Sequence, residues 1–191
     1  MQLLSGLAAA AAGGDAAAIS DLVEQVWPDA YRIAWSVLGD RAAAEDAAQD
    51  ACARLLTAIS TLRNPEAFGA WFYRIVVNEA NRRRRQARQA ASVGELSTQA
   101  DRIDHDDRID LERALRALDQ KLRVALILRY YFNLSGDRIA RIVGCSPLTV
   151  RWRLFMGRKR LRAILEPPHT SSASPMRTRI GDYADQSQTV R

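Results

Sequence analysis

Along residues 134–162 the apolar positions fall into two short helical patterns separated by one turn. In LSGDRIARIVGCSPLTVRWRLFMGRKRLR, Ile139, Ala140, Ile142 and Val143 mark the first helix, and Ser135 stands where an N-cap belongs. Gly144 breaks that pattern as a left-handed C-terminal glycine does. Ser146 and Pro147 open the second helix, serine as the cap and proline at the first helical position, where its missing N–H costs nothing. Val150, Leu154, Gly157 and Leu161 then recur at offsets 0, 4, 7 and 11, which predicts one buried face. The remaining surface carries Arg151, Arg158, Lys159 and Arg162, with Arg153 and Arg160 on the flanks, and residues 147–162 contain no acid. Solvated helix faces ordinarily mix signs. A helix, a tight glycine turn and a cationic helix predict a helix-turn-helix that reads DNA.

The rest of the chain is patterned at helical spacing too. Residues 1–14 are alanine-rich and are expected to be a frayed, disordered N-terminus. A first block covers residues 15–89. Ile19, Leu22, Val23 and Val26 line its opening helix, and Pro28 is expected to begin another, with Tyr31, Ile33, Ala34, Trp35 and Leu38. Gly39 ends that helix and Asp40 caps a third, which buries Ala44, Ala47, Ala48, Ala51 and Leu55 and leaves Asp46, Gln49 and Asp50 wet. After a loop at residues 60–65 comes a long fourth helix. Phe68, Trp71, Phe72, Ile75 and Val76 supply its apolar face, and Arg74, Asn78, Asn81, Arg82 and Arg85 a polar, cationic one. Cations beside aromatics suit a nucleic-acid strand, whose phosphates they hold and whose bases stack.

Residues 90–110 lose the periodicity and turn acidic, reading as a flexible linker. Within residues 111–166, Leu111, Leu115 and Leu118, then Leu122, Ala125, Leu126 and Leu128, predict two helices that support the helix-turn-helix. Residues 167–191, rich in Pro and Ser, read as a disordered tail. The expected fold is all-α: two small helical domains joined by a flexible linker.

Charge sharpens this. The chain of 191 residues has a formal charge of +6 and a pI near 9.9, which favours a polyanionic partner. Lys121 and Lys159 are its only lysines, so arginine, whose fork fits phosphate and guanine edges, carries nearly all the positive charge. Cys52 and Cys145 belong to no CxxC, and with His105 and His169 they do not make a zinc finger. No metal or cofactor site is expected. The apolar start lacks the cationic lead of a signal peptide, and no stretch is long and charge-free enough for membrane insertion.

The two blocks, AEDAAQDACARLL with FGAWFYRIVVNEANRRRR, and LRVALILRYYFNLSGDRIARIVGCSPLTVRWRLFMGRKRLR, resemble regions 2 and 4 of a group 4 bacterial RNA polymerase sigma factor, the extracytoplasmic-function (ECF) type of the sigma-70 family. The resemblance covers roughly residues 16–165. It implies a cytoplasmic, non-enzymatic initiation factor whose partners are promoter DNA, core RNA polymerase and an anti-sigma factor. Region 4 (111–166) would read the −35 element through Ser146, Thr149, Arg151, Trp152, Arg153, Arg158, Lys159 and Arg162, with its supporting helices on the flap of the second polymerase subunit. Region 2 (15–89) would recognise and open the −10 element through Arg63, Asn64, Trp71, Arg74, Asn78, Asn81, Arg82 and Arg85. Asp46, Gln49 and Asp50 would dock on the coiled coil of the largest subunit. Three positions depart from the family pattern: Asp119 stands near a usual proline and is expected to cap the following helix instead, Gly157 replaces alanine, and Trp152 replaces a small polar residue. The main alternative is a stand-alone helix-turn-helix regulator, which needs a sensory or dimerisation domain that residues 15–89 do not resemble. A nuclease needs clustered carboxylates or histidines on ordered elements, which the pattern does not supply.

Overall fold

The computed structural model describes residues 2–91 and 107–166, with side chains described for 4–90 and 111–166. These residues form helices α1 (Gln2–Ala12), α2 (Ala16–Leu38), α3 (Arg41–Ala58), α4 (Phe68–Ala91), α5 (Asp107–Ala117), α6 (Gln120–Tyr130), α7 (Gly136–Val143) and α8 (Pro147–Leu165). Two single 3₁₀ turns, Ile59–Thr61 and Pro65–Ala67, bridge α3 and α4. Among the described residues there is no strand, and no helix is long and apolar enough to cross a membrane. Most of the expected linker and the whole expected tail lie outside the described residues.

Helices α2, α3 and α4 pack on one another around Leu22, Val26, Ile33, Leu55, Phe68, Phe72 and Val76, all essentially inaccessible. The alanine row of α3 is fully buried, so its backbone approaches α2 and α4 closely. Phe72 stacks on Phe68 with ring centroids 5.8 Å apart. In the second unit α8 packs on α6 and α7 through Val150, Leu154 and Gly157. Caps delimit the helices as the sequence predicts. Asp40 accepts from the Ala43 N–H at 2.8 Å, Asp119 from Lys121 at 2.9 Å and Ser146 from Thr149 at 3.1 Å. Gly144, at φ 67°, supplies the left-handed residue that ends α7.

Two expectations are corrected. Residues Gln2–Ala12 are helical, and Ala8 and Ala11 are buried, with Leu4 and Leu7 packed beside them. This helix lies on α2 and on both 3₁₀ turns. Alanine carries the highest helix propensity, and a three-to-four-residue apolar repeat supplies the face to bury. Nor does Pro28 start a helix, for α2 runs through it. Pro28 is exposed and lies on the solvent side of α2, while Leu22, Val26, Ala30 and Ile33 anchor both halves.

The two units are packed together. Helix α6 lies on α2, α7 lies on α4, and one apolar core runs across the junction. Removing the stacked ring at the centre of the first unit is expected to cost about 3–5 kcal/mol. Urea unfolding of Phe72→Ala measures this; a loss below about 1 kcal/mol would contradict the packing described.

Candidate nucleic-acid interface

Helix α8 presents two different surfaces. Beyond its buried side, Arg151, Trp152, Arg158, Lys159 and Arg162 are exposed and Arg153 is half-buried. At its start the Ser146 and Thr149 hydroxyls share a hydrogen bond of 2.9 Å, so both sit at the N-terminal end. Arg158 donates to the Tyr130 hydroxyl at 3.0 Å. It and Arg162 border a groove of about 1050 Å³ between the units, whose other walls include Tyr31, Trp35, Leu126 and Tyr131. The cationic surface therefore divides, with Arg158 held toward α6.

The expected face of α4 divides as well. Arg74, Asn78 and Arg85 are exposed. Asn81 is half-buried and accepts from the Gln120 amide of α6 at 3.1 Å. Arg82 turns toward α3, donating to Glu79 at 2.7 Å and to Asp50 at 2.9 Å. Trp71 is half-buried with its ring tilted on Phe68. In the preceding loop Arg63 and Asn64 are exposed, and the Asn64 side-chain oxygen accepts from the Glu66 N–H at 3.0 Å, capping the second 3₁₀ turn. Helix α1 borders this loop through its contacts with both turns.

The acidic stripe is not left to water. Arg83 bonds Asp50 at 2.8 Å and Asp46 at 2.9 Å, and Arg82 adds its bond to Asp50. Arg54, four residues after Asp50 on the same helix, faces Glu79 at 3.5 Å instead. Arginines four turns into α4 thus tie it to α3, a tertiary pairing that helical spacing within one segment does not reveal. Gln49 is exposed beside this network.

Sequence patterning also missed Arg123. It lies among the apolar positions of α6 and is only 6% exposed. Its Nε donates to the Ser36 carbonyl at 2.7 Å, and one terminal nitrogen donates to the Arg116 and Leu115 carbonyls at 3.0 and 3.4 Å. These acceptors belong to the last turns of α2 and α5, the negative ends of two helices. Gly39, at φ 76°, is doubly required: a Cβ there would stand 3.1 Å from the guanidinium. Burial pulls the Arg123 pKa down, opposed chiefly by the Asp119 charge. Around this contact, Arg41 pairs with Glu112 at 3.2 Å, Arg32 lies over the Tyr131 ring, and Tyr73 packs on Phe132. The Tyr73 hydroxyl donates to Asp29 at 2.8 Å, and burial pushes its pKa well above the usual phenol range.

Comparison with known proteins agrees with this architecture. The models of Sigma-70 region 2 and Sigma-70 region 4 match residues 14–90 and 108–161. The chain is 31% identical over 137 residues to RNA polymerase sigma factor SigV of Bacillus subtilis, covering 70% of this chain and 82% of SigV. It is 31% identical over 183 residues to ECF RNA polymerase sigma factor SigE of Mycolicibacterium smegmatis, covering 88% of this chain and 71% of SigE. Among solved structures, CnrH in complex with the cytosolic domain of CnrY aligns with a TM-score of 0.62 at 26% identity, over 85% of this chain and 97% of CnrH. RpoE in complex with the anti-sigma factor NepR, from Bartonella quintana, shares the fold with a TM-score of 0.67 at 22% identity, over 78% of this chain and 97% of RpoE. A helix-turn-helix unit joined to a helical unit of this kind defines an RNA polymerase sigma factor of the sigma-70 family, and the chain belongs to it. Within that family it is a member of the ECF group.

Arg123→Ala removes a cation from three carbonyls and is expected to loosen the packing of the two units. Donor and acceptor dyes on exposed positions of α3 and α8 should report a longer mean distance in the variant. An unchanged distance would show that the apolar core alone holds them together.

Proposed function

We propose that this chain directs core RNA polymerase to promoters by reading the −35 element with α8 and holding the opened −10 strand along the exposed part of α4. The observation that supports it most is the pairing, in one sigma-family chain, of an acid-free cationic helix with a second helix bearing Arg74, Asn78 and Arg85 in solvent. Thr149, Arg151 and Arg153 stand in the first turns of α8, where recognition helices reach base edges. Lys159, further along, suits a phosphate. Arg63 and Asn64 lie in the loop before α4, placed to receive a base swung out of the stack. Asn81 becomes available to a strand only when Gln120 withdraws, so full engagement of α4 requires the units to separate.

Asp46, Gln49 and Asp50 form the surface proposed for the coiled coil of the largest polymerase subunit, with Arg82 and Arg83 fixing the two carboxylates in place. The helices supporting α8 are assigned to the flap of the second subunit. An anti-sigma factor is a further proposed partner, by analogy with the complex of RpoE with the anti-sigma factor NepR. The protein is read as a cytoplasmic initiation factor rather than an enzyme.

Run-off transcription of genomic fragments by core polymerase, with and without this protein, tests the reading. Discrete transcripts that depend on the protein are expected, and their absence across the library would overturn it. On a promoter so obtained, Asn78→Ala is expected to form a closed complex but to open it poorly, with opening largely recovered on a pre-melted template. Permanganate reactivity of unpaired thymines reads this. Normal opening of the duplex by Asn78→Ala would remove strand holding from this part of α4.

A further inference from the structure

The groove between the two units, about 1050 Å³, is bordered by apolar side chains that the fold leaves partly in water. Leu111, Tyr130, Tyr131 and Leu165 are 44%, 61%, 55% and 44% exposed, and all four line it, with the buried Trp35 and Leu126 deeper. Large apolar groups gathered on a concave surface mark an interaction site. The two walls belong to different units, Tyr31 and Trp35 to α2, and Tyr130 and Tyr131 to the end of α6. Whatever fills the groove therefore adds contacts across the junction that Arg123 spans. Arginines stand on both sides, Arg32 and Arg41 on one and Arg158 and Arg162 on the other. Of the glutamates that share the rim, Glu45, Glu112 and Glu166, Glu112 is bound to Arg41 and Arg116, which leaves the balance cationic.

The chain itself brings an occupant to this rim. Helix α8 ends at Leu165, and Glu166, which lines the groove, has φ −111° and ψ 77°. Pro167 and Pro168 follow. A proline disfavours helical geometry at the residue before it, so the chain leaves the α8 axis at the groove. Residues 167–175, PPHTSSASP, carry no large apolar side chain. Residues 176–185, MRTRIGDYAD, carry Met176, Ile180 and Tyr183, with Asp182 and Asp185 close to the tyrosine. These side chains complement the groove. Methionine and tyrosine pack well on aromatic surfaces, and carboxylates make charge-assisted bonds to arginine. The intervening stretch reaches up to about 30 Å at ~3.3 Å per residue, enough to turn back from the rim. A tether of that length presents the anchors at roughly millimolar effective concentration, which a free partner would have to outcompete.

We propose that residues 176–185 of this chain dock in the groove, with Met176, Ile180 and Tyr183 against its aromatic walls and Asp182 and Asp185 on its arginines. The docked segment ties the two units together. Asn81 reaches a DNA strand only when Gln120 withdraws, so docking restrains promoter opening. That consequence rests on the promoter-reading role proposed above, whereas the docking itself does not.

The test places the photo-crosslinking residue p-benzoylphenylalanine at position 183 of the full chain and irradiates dilute protein. Mass spectrometry is expected to find crosslinks within one chain to the stretches of α2 or α6 that line the groove. Adding Met176→Ser/Ile180→Ser should lower their yield about fivefold or more, because a few anchors carry most of such binding. Circular dichroism melts check that each variant is folded. On a responsive promoter, Met176→Ser/Ile180→Ser with Tyr183 in place is expected to open DNA about threefold or more faster than the wild type, since the competing closed state is less populated.

Crosslinks that fall only outside the groove, or an equal yield with and without the two serines, would overturn the proposal. Crosslinks found only between chains, rising with concentration, would overturn it in favour of a second copy. Equal opening rates alongside lost crosslinks would remove the restraint on opening and uphold the docking. If no promoter responds to this protein, the sigma reading fails, and the crosslinks still decide the docking.

Discussion

A buried guanidinium sits at the junction on which the arrangement of both units depends. Taking a cation out of water costs several kcal/mol. Hydrogen bonds to a charged group return about 1.5–3 kcal/mol each, so the two close bonds of Arg123 and its longer third roughly balance that cost. Its main effect is therefore geometric. The acceptors belong to the last turns of α2 and α5, and they converge on one nitrogen plane only when the two units take this relative position. Gly39 makes the same demand from the other side, since any side chain there would meet the guanidinium. A leucine at position 123 would pack against either unit in many orientations, whereas the arginine accepts few.

That orientation determines which side chains face outward. With α7 laid on α4 and Gln120 on Asn81, the polar face of α4 keeps Arg74, Asn78 and Arg85 in solvent, while Arg82 is exposed but ion-paired. Arg82 and Arg83 are turned the other way, where Glu79, Asp50 and Asp46 neutralise them. Asp46 and Asp50 are thereby held at fixed positions on the outer side of α3. One run of four arginines, residues 82–85, thus serves two surfaces: part braces the acidic patch and part remains in solvent.

Much of this was legible in the sequence, and the limits have identifiable causes. Periodicity located the buried alanines of α3, the apolar face of α4 and the core positions of α7 and α8, because local spacing decides which side of a helix is apolar. The caps at Asp40, Asp119 and Ser146 followed from residue chemistry alone. Pairings across elements were not accessible in that way. Nothing local distinguishes Arg82, which reaches Asp50 thirty-two residues away, from its neighbour Arg85 one turn on. Arg123 was hidden because a cation inside an apolar stripe has the same local spacing whether it escapes to water or finds carbonyls. Composition misled at the N-terminus, where an alanine run looks unstructured until the repeat of Leu4, Leu7, Ala8 and Ala11 is given a surface to cover.

Gly157 shows how packing inside the second unit shapes its outer chemistry. Glycine in a helix interior costs about 1 kcal/mol of propensity relative to alanine. Here a Cβ would stand 3.1 Å from the Leu126 side chain, so its absence lets α8 close on α6. The close approach orients α8 about its own axis. With Val150 and Leu154 drawn inward beside it, the line through Leu148, Trp152 and Phe155 is turned outward and Arg158 is brought to the Tyr130 hydroxyl. One small residue on the buried side thus sets the division of the opposite side into an apolar row and cationic edges.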